Sequence, residues 1–132
     1  MKTDLQIYKS VHPEDLNCFG TVVLFFNGIN RPKWLRVEEL GLFLDHNSIK
    51  DDSLSKNCIY AMYCPNSNEL IHTAVYLGND QFLHKPGSME IEIASKQRLH
   101  NLYLEDDCVA HFGKKYKIVI YKVKEQLNLA LT

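Results

Sequence analysis

The chain lacks the features that define several large classes of protein. It has four cysteines in 132 residues, too few for a disulfide-stapled scaffold, and without a leader we expect all four to be reduced. No apolar signal segment follows the N-terminus, and no run approaches the roughly twenty apolar residues that cross a membrane. We therefore expect a soluble protein with no membrane span, cytoplasmic as encoded, with export by a specialised secretion route as the alternative.

The net charge is small, and low-complexity sequence is absent. The formal net charge of −1 argues against a chain specialised for nucleic acid. No repeat, biased tract or linker divides the chain. Apolar residues make up 45% and charged residues 23%, which is ordinary for a globular domain. We predict one monomeric domain over residues 1–132, long enough to bury one core.

The cysteines could belong to a metal site or could be buried structural residues. Cys58 and Cys64 are more widely spaced than the usual ligand pair of a zinc site, although Cys108 and His111 could complete a set of four. Free cysteine is common in apolar cores. The sequence therefore predicts no metal and no cofactor.

The apolar run Cys18–Phe26 could form a strand or a buried helix. Its Thr-Val-Val favours a strand on propensity. Asn17 is a good N-cap, however, and Asn27-Gly28 is a good stop signal. We predict a helix that begins at Cys18.

The other elements change type along the chain. Helices are predicted in the first half, for 4–10 and Val37–Asp45, with a loop over Asn47–Asn57. Strands dominate the second half: Cys58–Cys64, Leu70–Leu77, Gln81–His84, Met89–Ala94 and a basic strand over 116–124, with a helix over 95–104. Helices followed by antiparallel strands predict an α+β fold with helices packed on a sheet face. The lysines of the last strand suggest an edge strand protected against pairing.

Two histidines stand near the outer ends of a predicted hairpin. His72 and His84 close two short apolar runs, and Gly78-Asn79-Asp80 between them is a turn signal. Residues at opposite ends of a hairpin become cross-strand neighbours, so we expect the imidazoles to meet. A cysteine that joins such a pair gains a general base and a group that orients the base, the arrangement of nucleophilic catalytic triads.

Asn17-Cys18-Phe19-Gly20 and the strand from His72 to Gly78 resemble motifs of the NlpC/P60 superfamily of papain-like cysteine hydrolases, in particular its cell-wall endopeptidases. Members carry Asp-Cys-Ser-Gly at a helix start and, further along, a strand similar to His-Val-Gly-Ile-Tyr-Leu-Gly. The resemblance covers roughly residues 8 to 124. It implies a papain-like fold in which N-terminal helices pack on an antiparallel sheet.

The resemblance also implies roles for individual residues. Cys18 matches the nucleophile, His72 the base and His84 the orienting residue. Tyr8 matches a tyrosine near the oxyanion, although a packing role is an equal alternative. Asn17 and Phe19 replace the family's Asp and Ser beside the substrate, which implies weak discrimination between free and blocked amino termini.

The implied reaction is hydrolysis of an amide bond through a thioester. The substrate implied by the resemblance is a peptide, in particular a peptidoglycan stem peptide. An acyltransferase, deamidase or protease acting on lipid or host protein is an alternative, and so is a binding module without activity. We expect the helix N-terminus and an imidazolium at His72 to lower the pKa of Cys18.

Each of these residues also has a structural explanation. Cys18 alone could be a buried filler, and each histidine alone a satisfied strand residue. His12 is a rival base without an orienting partner. The remaining histidines, His46, His100 and His111, are predicted to be solvated, and Trp34 is predicted to cap the core rather than line a cleft.

Overall fold

A computed structural model describes residues 5–9, 12–64, 67–87, 89–102 and 117–128. The helices are α1 (Leu5–Lys9), α2 (Cys18–Phe25), α3 (Val37–Asn47) and α4 (Lys96–Asn101), with a 3-10 turn at Pro13–Asp15. The strands are β1 (Ser48–Asp51), β2 (Cys58–Tyr63), β3 (Leu70–Gly78), β4 (Gln81–His84), β5 (Glu92–Ala94) and β6 (Lys117–Val123).

The described strands form one six-stranded sheet in the order β1-β6-β2-β3-β4-β5. Every pair is antiparallel. The predicted α+β class is therefore confirmed, with three of the four described helices preceding the strands. None of the described helices has the length and apolarity needed to cross a bilayer.

Two predictions about the sheet are wrong. Residues Ser48–Asp51, predicted as part of a loop, form β1 and pair with the C-terminal strand. The C-terminal strand β6 is not an edge strand, because it pairs with β1 on one side and β2 on the other. Its lysines therefore do not protect a free edge. Some predicted positions fall outside the described residues, namely Asp4, Ser10, 103–104, Lys114, Lys115 and Tyr116.

The helix prediction for Cys18 is confirmed, and the caps explain it. The side chain of Asn17 accepts a hydrogen bond from the Gly20 N–H, which satisfies one of the free donors of the first turn. At the other end Asn27 adopts a left-handed φ of 61°. Such a residue ends a helix because the chain leaves the helical path there.

Side chains of the sheet face two separate cores. The first, here the α2 face, contains α2 and α3 with Ile59, Val75 and Leu83. The second, here the α4 face, contains Tyr60, Met62, Ala74, Phe82 and Leu99. Because neighbouring residues of a regular strand point to opposite faces, these memberships define the direction of the side chains from His72 to Tyr76 and in β4.

Candidate functional site

The His72–His84 pair forms where the hairpin prediction puts it. Asn79 and Asp80 have φ values of 52° and 57°, the backbone of a tight hairpin turn that matches the twist of the strands. Nε2 of His72 lies 2.9 Å from Nδ1 of His84, and both side chains are buried. The predicted contact between the two imidazoles is therefore present.

A carboxylate and a guanidinium extend this pair. β4 pairs with β5 so that His84 lies opposite Glu92, and His84 Nε2 is 3.8 Å from Glu92 Oε2. Arg98 on α4 donates to both oxygens of that carboxylate, from Nε at 2.5 Å and from Nη2 at 2.7 Å. A polar chain thus leads from His72 to the surface.

Burial controls the charge of the two histidines. Desolvation, with a smaller contribution from the neighbouring His84, lowers the pKa of His72 to about 3. The pKa of His84 is also lowered, mainly by burial, although the charge of Glu92 partly opposes this shift. Hydrogen bonds from Arg98 lead the effects that lower the pKa of Glu92. At neutral pH the pair is therefore neutral beside an ionised carboxylate.

Cys18 is the first residue of α2, and it contacts Thr73, the residue that follows His72 in β3. The hydroxyl of Thr73 donates to the Cys18 carbonyl at 3.2 Å. Burial raises the pKa of the Cys18 thiol, and this outweighs hydrogen bonds from Thr73 and Phe19 that lower the pKa. The expected activation is therefore wrong for this arrangement, because desolvation exceeds the stabilisation of the thiolate.

The structure does not bring Cys18 to the histidine pair. Among the described residues, the side-chain hydrogen bond that links Cys18 to β3 comes from Thr73 and ends on the Cys18 carbonyl. Thr73 pairs with Ala61 and points to the α2 face, whereas His72 pairs with Met62 and points to the α4 face. The nucleophile and base predicted from the sequence thus lie on opposite faces of β3.

Lys85 is a charged neighbour of Cys18 on the α2 face. Its side chain is buried, and Nζ donates to the Gly87 carbonyl at 2.8 Å. Burial lowers the pKa of Lys85, while the charge of a Cys18 thiolate raises it. Attraction between the two charges is mutual, so the ammonium also favours the thiolate.

The side chain of Asn17 connects two segments of the chain. Its Oδ1 accepts from the N–H groups of Gly20 at 2.9 Å and Leu35 at 3.1 Å, and its Nδ2 donates to the Leu35 carbonyl at 2.6 Å. A Cβ added to Gly20 would lie 1.9 Å from the Lys33 carbonyl, so only glycine permits this close approach. The structure gives Asn17 a role in packing rather than a free amide beside a substrate.

Phe19 and Tyr8 belong to the core of the α2 face. Phe19 is half-buried and packs against that core, and Tyr8 is buried within it. Burial raises the pKa of the Tyr8 hydroxyl. Packing in this core is therefore an alternative explanation of both side chains, beside their predicted roles at the substrate and the oxyanion.

The other histidines differ in their surroundings. His12 is exposed, and its Nδ1 accepts from the Glu14 N–H at 3.3 Å. His46 is exposed as predicted. His100 is not simply solvated, because Nε2 lies 2.8 Å from the Tyr60 hydroxyl. His111 lies outside the described residues.

Trp34 does not cap the core as predicted. Its side chain is 57% exposed. It lines an open surface cleft of about 620 Å³ with six other residues, namely His12, Glu14, Asp15, Arg31, Pro32 and Lys33. The cleft carries both signs of charge and so selects no single class of ligand.

The expectation of four reduced cysteines is wrong for Cys64, which is disulfide-bonded. Cys18 and Cys58 are free, and Cys108 lies outside the described residues. A thiol in a disulfide is not a thiolate ligand, so the zinc set considered from the sequence is incompatible with this form of Cys64. The described residues contain no group of three side chains suited to a metal ion.

Four residues near the candidate site were not predicted from the sequence, namely Thr73, Lys85, Glu92 and Arg98. Thr73 and Lys85 directly follow the two histidines, so their positions were visible although their contacts were not. The period-two pattern of Met89–Ala94 marks Glu92 as a residue of a half-exposed strand. Its partner across the sheet depends on the register of β5, which the pattern alone does not define.

Comparison with models of protein families, with curated proteins and with solved structures finds no match to the chain. The candidate site is therefore interpreted from its own chemistry.

Proposed function

We propose that the protein is a cysteine hydrolase of the papain-like NlpC/P60 type that cleaves an amide bond, with a peptidoglycan stem peptide as the substrate. One observation carries the proposal: the buried hydrogen bond between His72 and His84, continued by Glu92. The resemblance of the sequence motifs supports the same class of enzyme.

A purely structural explanation of the pair is unfavourable. The two buried imidazoles lose hydration, and apolar side chains of similar size fill a core at lower cost. Titratable groups with strongly shifted pKa values cluster at functional sites. His72 and His84 combine burial, mutual contact and a charged neighbour.

In the proposed reaction the Cys18 sulfur attacks the amide carbonyl while His72 accepts the thiol proton. His72 then gives this proton to the leaving amine, and water hydrolyses the thioester with His72 again as the base. The backbone N–H of Cys18 at the start of α2 is a donor for the developing oxyanion, a contribution of about 3 kcal/mol. His84 holds the orientation and tautomer of His72.

The assignment of Cys18 as the nucleophile rests on the sequence pattern. Cys18 and His72 lie on opposite faces of β3 in the described arrangement. The proposal therefore requires a second arrangement, in which β3 and β4 are shifted in register so that the imidazoles turn to the face covered by α2. A substrate that binds this second arrangement better would favour it.

Two experiments test the proposal. Purified sacculi are incubated with the protein, and mass analysis of released muropeptides reports cleavage of stem peptides. An electrophilic peptide probe, followed by peptide mapping, identifies which cysteine reacts, with Cys18 and Cys58 as the free cysteines of the described residues. Cleavage with labelling at Cys18 supports the proposal, whereas labelling at another cysteine refutes the assigned nucleophile.

A second candidate is a binding module without catalytic activity. The separation of Cys18 from His72 and the raised pKa of the thiol favour it. Such a module would bind the stem peptide without releasing fragments. Retention on sacculi without any product or probe adduct would support this candidate over the hydrolase.

A further inference from the structure

The second ring nitrogen of His84 faces a carboxylate across the sheet. Nε2 is buried and, among the described residues, has no hydrogen-bond partner. Oε2 of Glu92 lies 3.8 Å from this nitrogen. This separation is too long for a hydrogen bond, but the charge of Glu92 still acts on the buried ring and partly opposes the lowering of its pKa by burial.

The carboxylate discriminates between the two neutral forms of His84. A proton on Nε2 points a positive N–H toward Glu92, whereas a lone pair on Nε2 faces the negative charge. The first form is favoured, and it leaves Nδ1 of His84 as an acceptor. The 2.9 Å contact then requires Nε2 of His72 to carry the donated proton.

We propose that Glu92 is a positioning residue that sets the tautomers of both histidines, so that His72 presents an unprotonated Nδ1 as the base. This deepens the proposed function and rests on it for the catalytic meaning of that nitrogen. The tautomers themselves follow from the contacts of His84 and do not require catalysis.

Arg98 holds the carboxylate in this position. Its two hydrogen bonds occupy both oxygens of Glu92 and keep the carboxyl ionised. The titratable and charged groups that the described elements direct at His84 are His72 from β3, Glu92 from β5 and Arg98 from α4. The charge of Glu92 affects the pKa of His84 more than the opposing charge of Arg98 does.

Long-range ¹⁵N–¹H NMR of the imidazole rings tests the inference at pH 7. The wild-type protein is expected to have the proton on Nε2 of both His72 and His84. Glu92→Gln removes the charge at nearly constant size. The ratio of the Nε2-protonated form of His84 to the Nδ1-protonated form should therefore fall at least about fivefold. Glu90→Gln is the matched control, because it removes a carboxylate at an exposed position two residues away, and it should retain the wild-type tautomers.

Two results overturn the inference. One is a proton on Nδ1 of His84 as the main form of the wild-type protein, a measurement that needs no variant. The other is a tautomer ratio in Glu92→Gln that changes less than fivefold. Lack of hydrolysis by the wild-type protein, with the expected tautomers present, would refute the proposed function and leave the role of Glu92 intact.

Discussion

The hydroxyl of Thr73 donates to the Cys18 carbonyl at 3.2 Å, and Thr73 directly follows His72 in β3. The start of α2 therefore lies against the strand that carries the proposed base, although the imidazole points to the other face. Adjacent positions of one strand serve two different tasks: Thr73 anchors the helix, and His72 contacts His84.

We expect Cys18→Ala to abolish hydrolysis and to leave the fold intact. The thiol supplies the proposed nucleophile, and its loss leaves only a small void at the start of α2. Cys58→Ala is the matched control, because Cys58 is also a free cysteine. Release of muropeptides and circular dichroism are measured together, and more than a few per cent of wild-type turnover in Cys18→Ala would contradict the assignment.

The two histidines should differ in their effect on catalysis. His72→Ala should reduce turnover nearly as much as loss of Cys18, because members of one catalytic unit are not additive. His84→Ala should be milder, since an orienting group does not transfer the proton itself. Single-turnover rates of both variants test this order, and the reverse order would exchange their roles.

Asn17→Ala should lower the free energy of unfolding by about 1–3 kcal/mol, because it removes a helix cap and two hydrogen bonds to Leu35. Urea denaturation measures the change. Asn30→Ala, at an exposed position, should be nearly neutral. If Asn17→Ala lowers the free energy of unfolding by less than about 0.5 kcal/mol, Asn17 does not anchor the start of α2 to Leu35.

Alkylation of Cys18 should be slow at neutral pH in the absence of substrate. Burial raises the pKa of its thiol, so the reactive thiolate should increase about tenfold per pH unit up to that raised pKa. Lys85→Met should slow alkylation by about threefold because a favourable charge is lost. Iodoacetamide kinetics from pH 6 to 10 measure both effects, with the exposed Lys56→Met as control. Rapid labelling at pH 6 would instead indicate an activated thiolate.

Acid should destabilise the protein through His72. The unfolded chain binds a proton at the ordinary pKa of 6.5, whereas the folded chain does so only near about 3. Stability is therefore full above pH 6.5 and falls by about 1.4 kcal/mol per pH unit as the pH drops toward 3. Glu92, whose pKa is also lowered, changes stability in the same direction. The contribution of His72 is therefore obtained as the difference between the wild-type protein and a variant without His72.

The corresponding experiment follows the free energy of unfolding from pH 7 to 4. His72→Gln should show a smaller slope than the wild-type protein, because the titrating ring is gone. His46→Gln, at an exposed site, should keep the wild-type slope. Equal slopes for His72→Gln and the wild-type protein would mean that the pKa of His72 is not lowered.

The predictable parts of this molecule depend on neighbouring residues in the sequence. Asn17 and Asn27 define the ends of α2 by local capping, and the Asn79-Asp80 turn defines the His72–His84 contact. The short polar strand β1 was not predictable, because its pairing with β6 joins residues far apart in the chain. Such a pairing leaves no local signal.

The separation of Cys18 from His72 was not predictable for a related reason. Residues His72 to Val75 are all buried, so β3 has no apolar and polar alternation that would identify the face covered by α2. A shift by one residue would exchange the two faces. The triad implied by the resemblance requires His72 to face α2. The sequence of β3 does not determine which face His72 occupies.

The spacing of the contacts also has a consequence for the order of folding. The His72–His84 bond closes a loop of 12 residues, whereas the Thr73–Cys18 bond joins residues 55 apart. Closing a short loop costs less entropy, and hairpins form within microseconds. We therefore expect the two imidazoles to meet early and α2 to dock later on a hairpin that is already formed, so that mutations in the turn slow folding while mutations at Thr73 mainly accelerate unfolding.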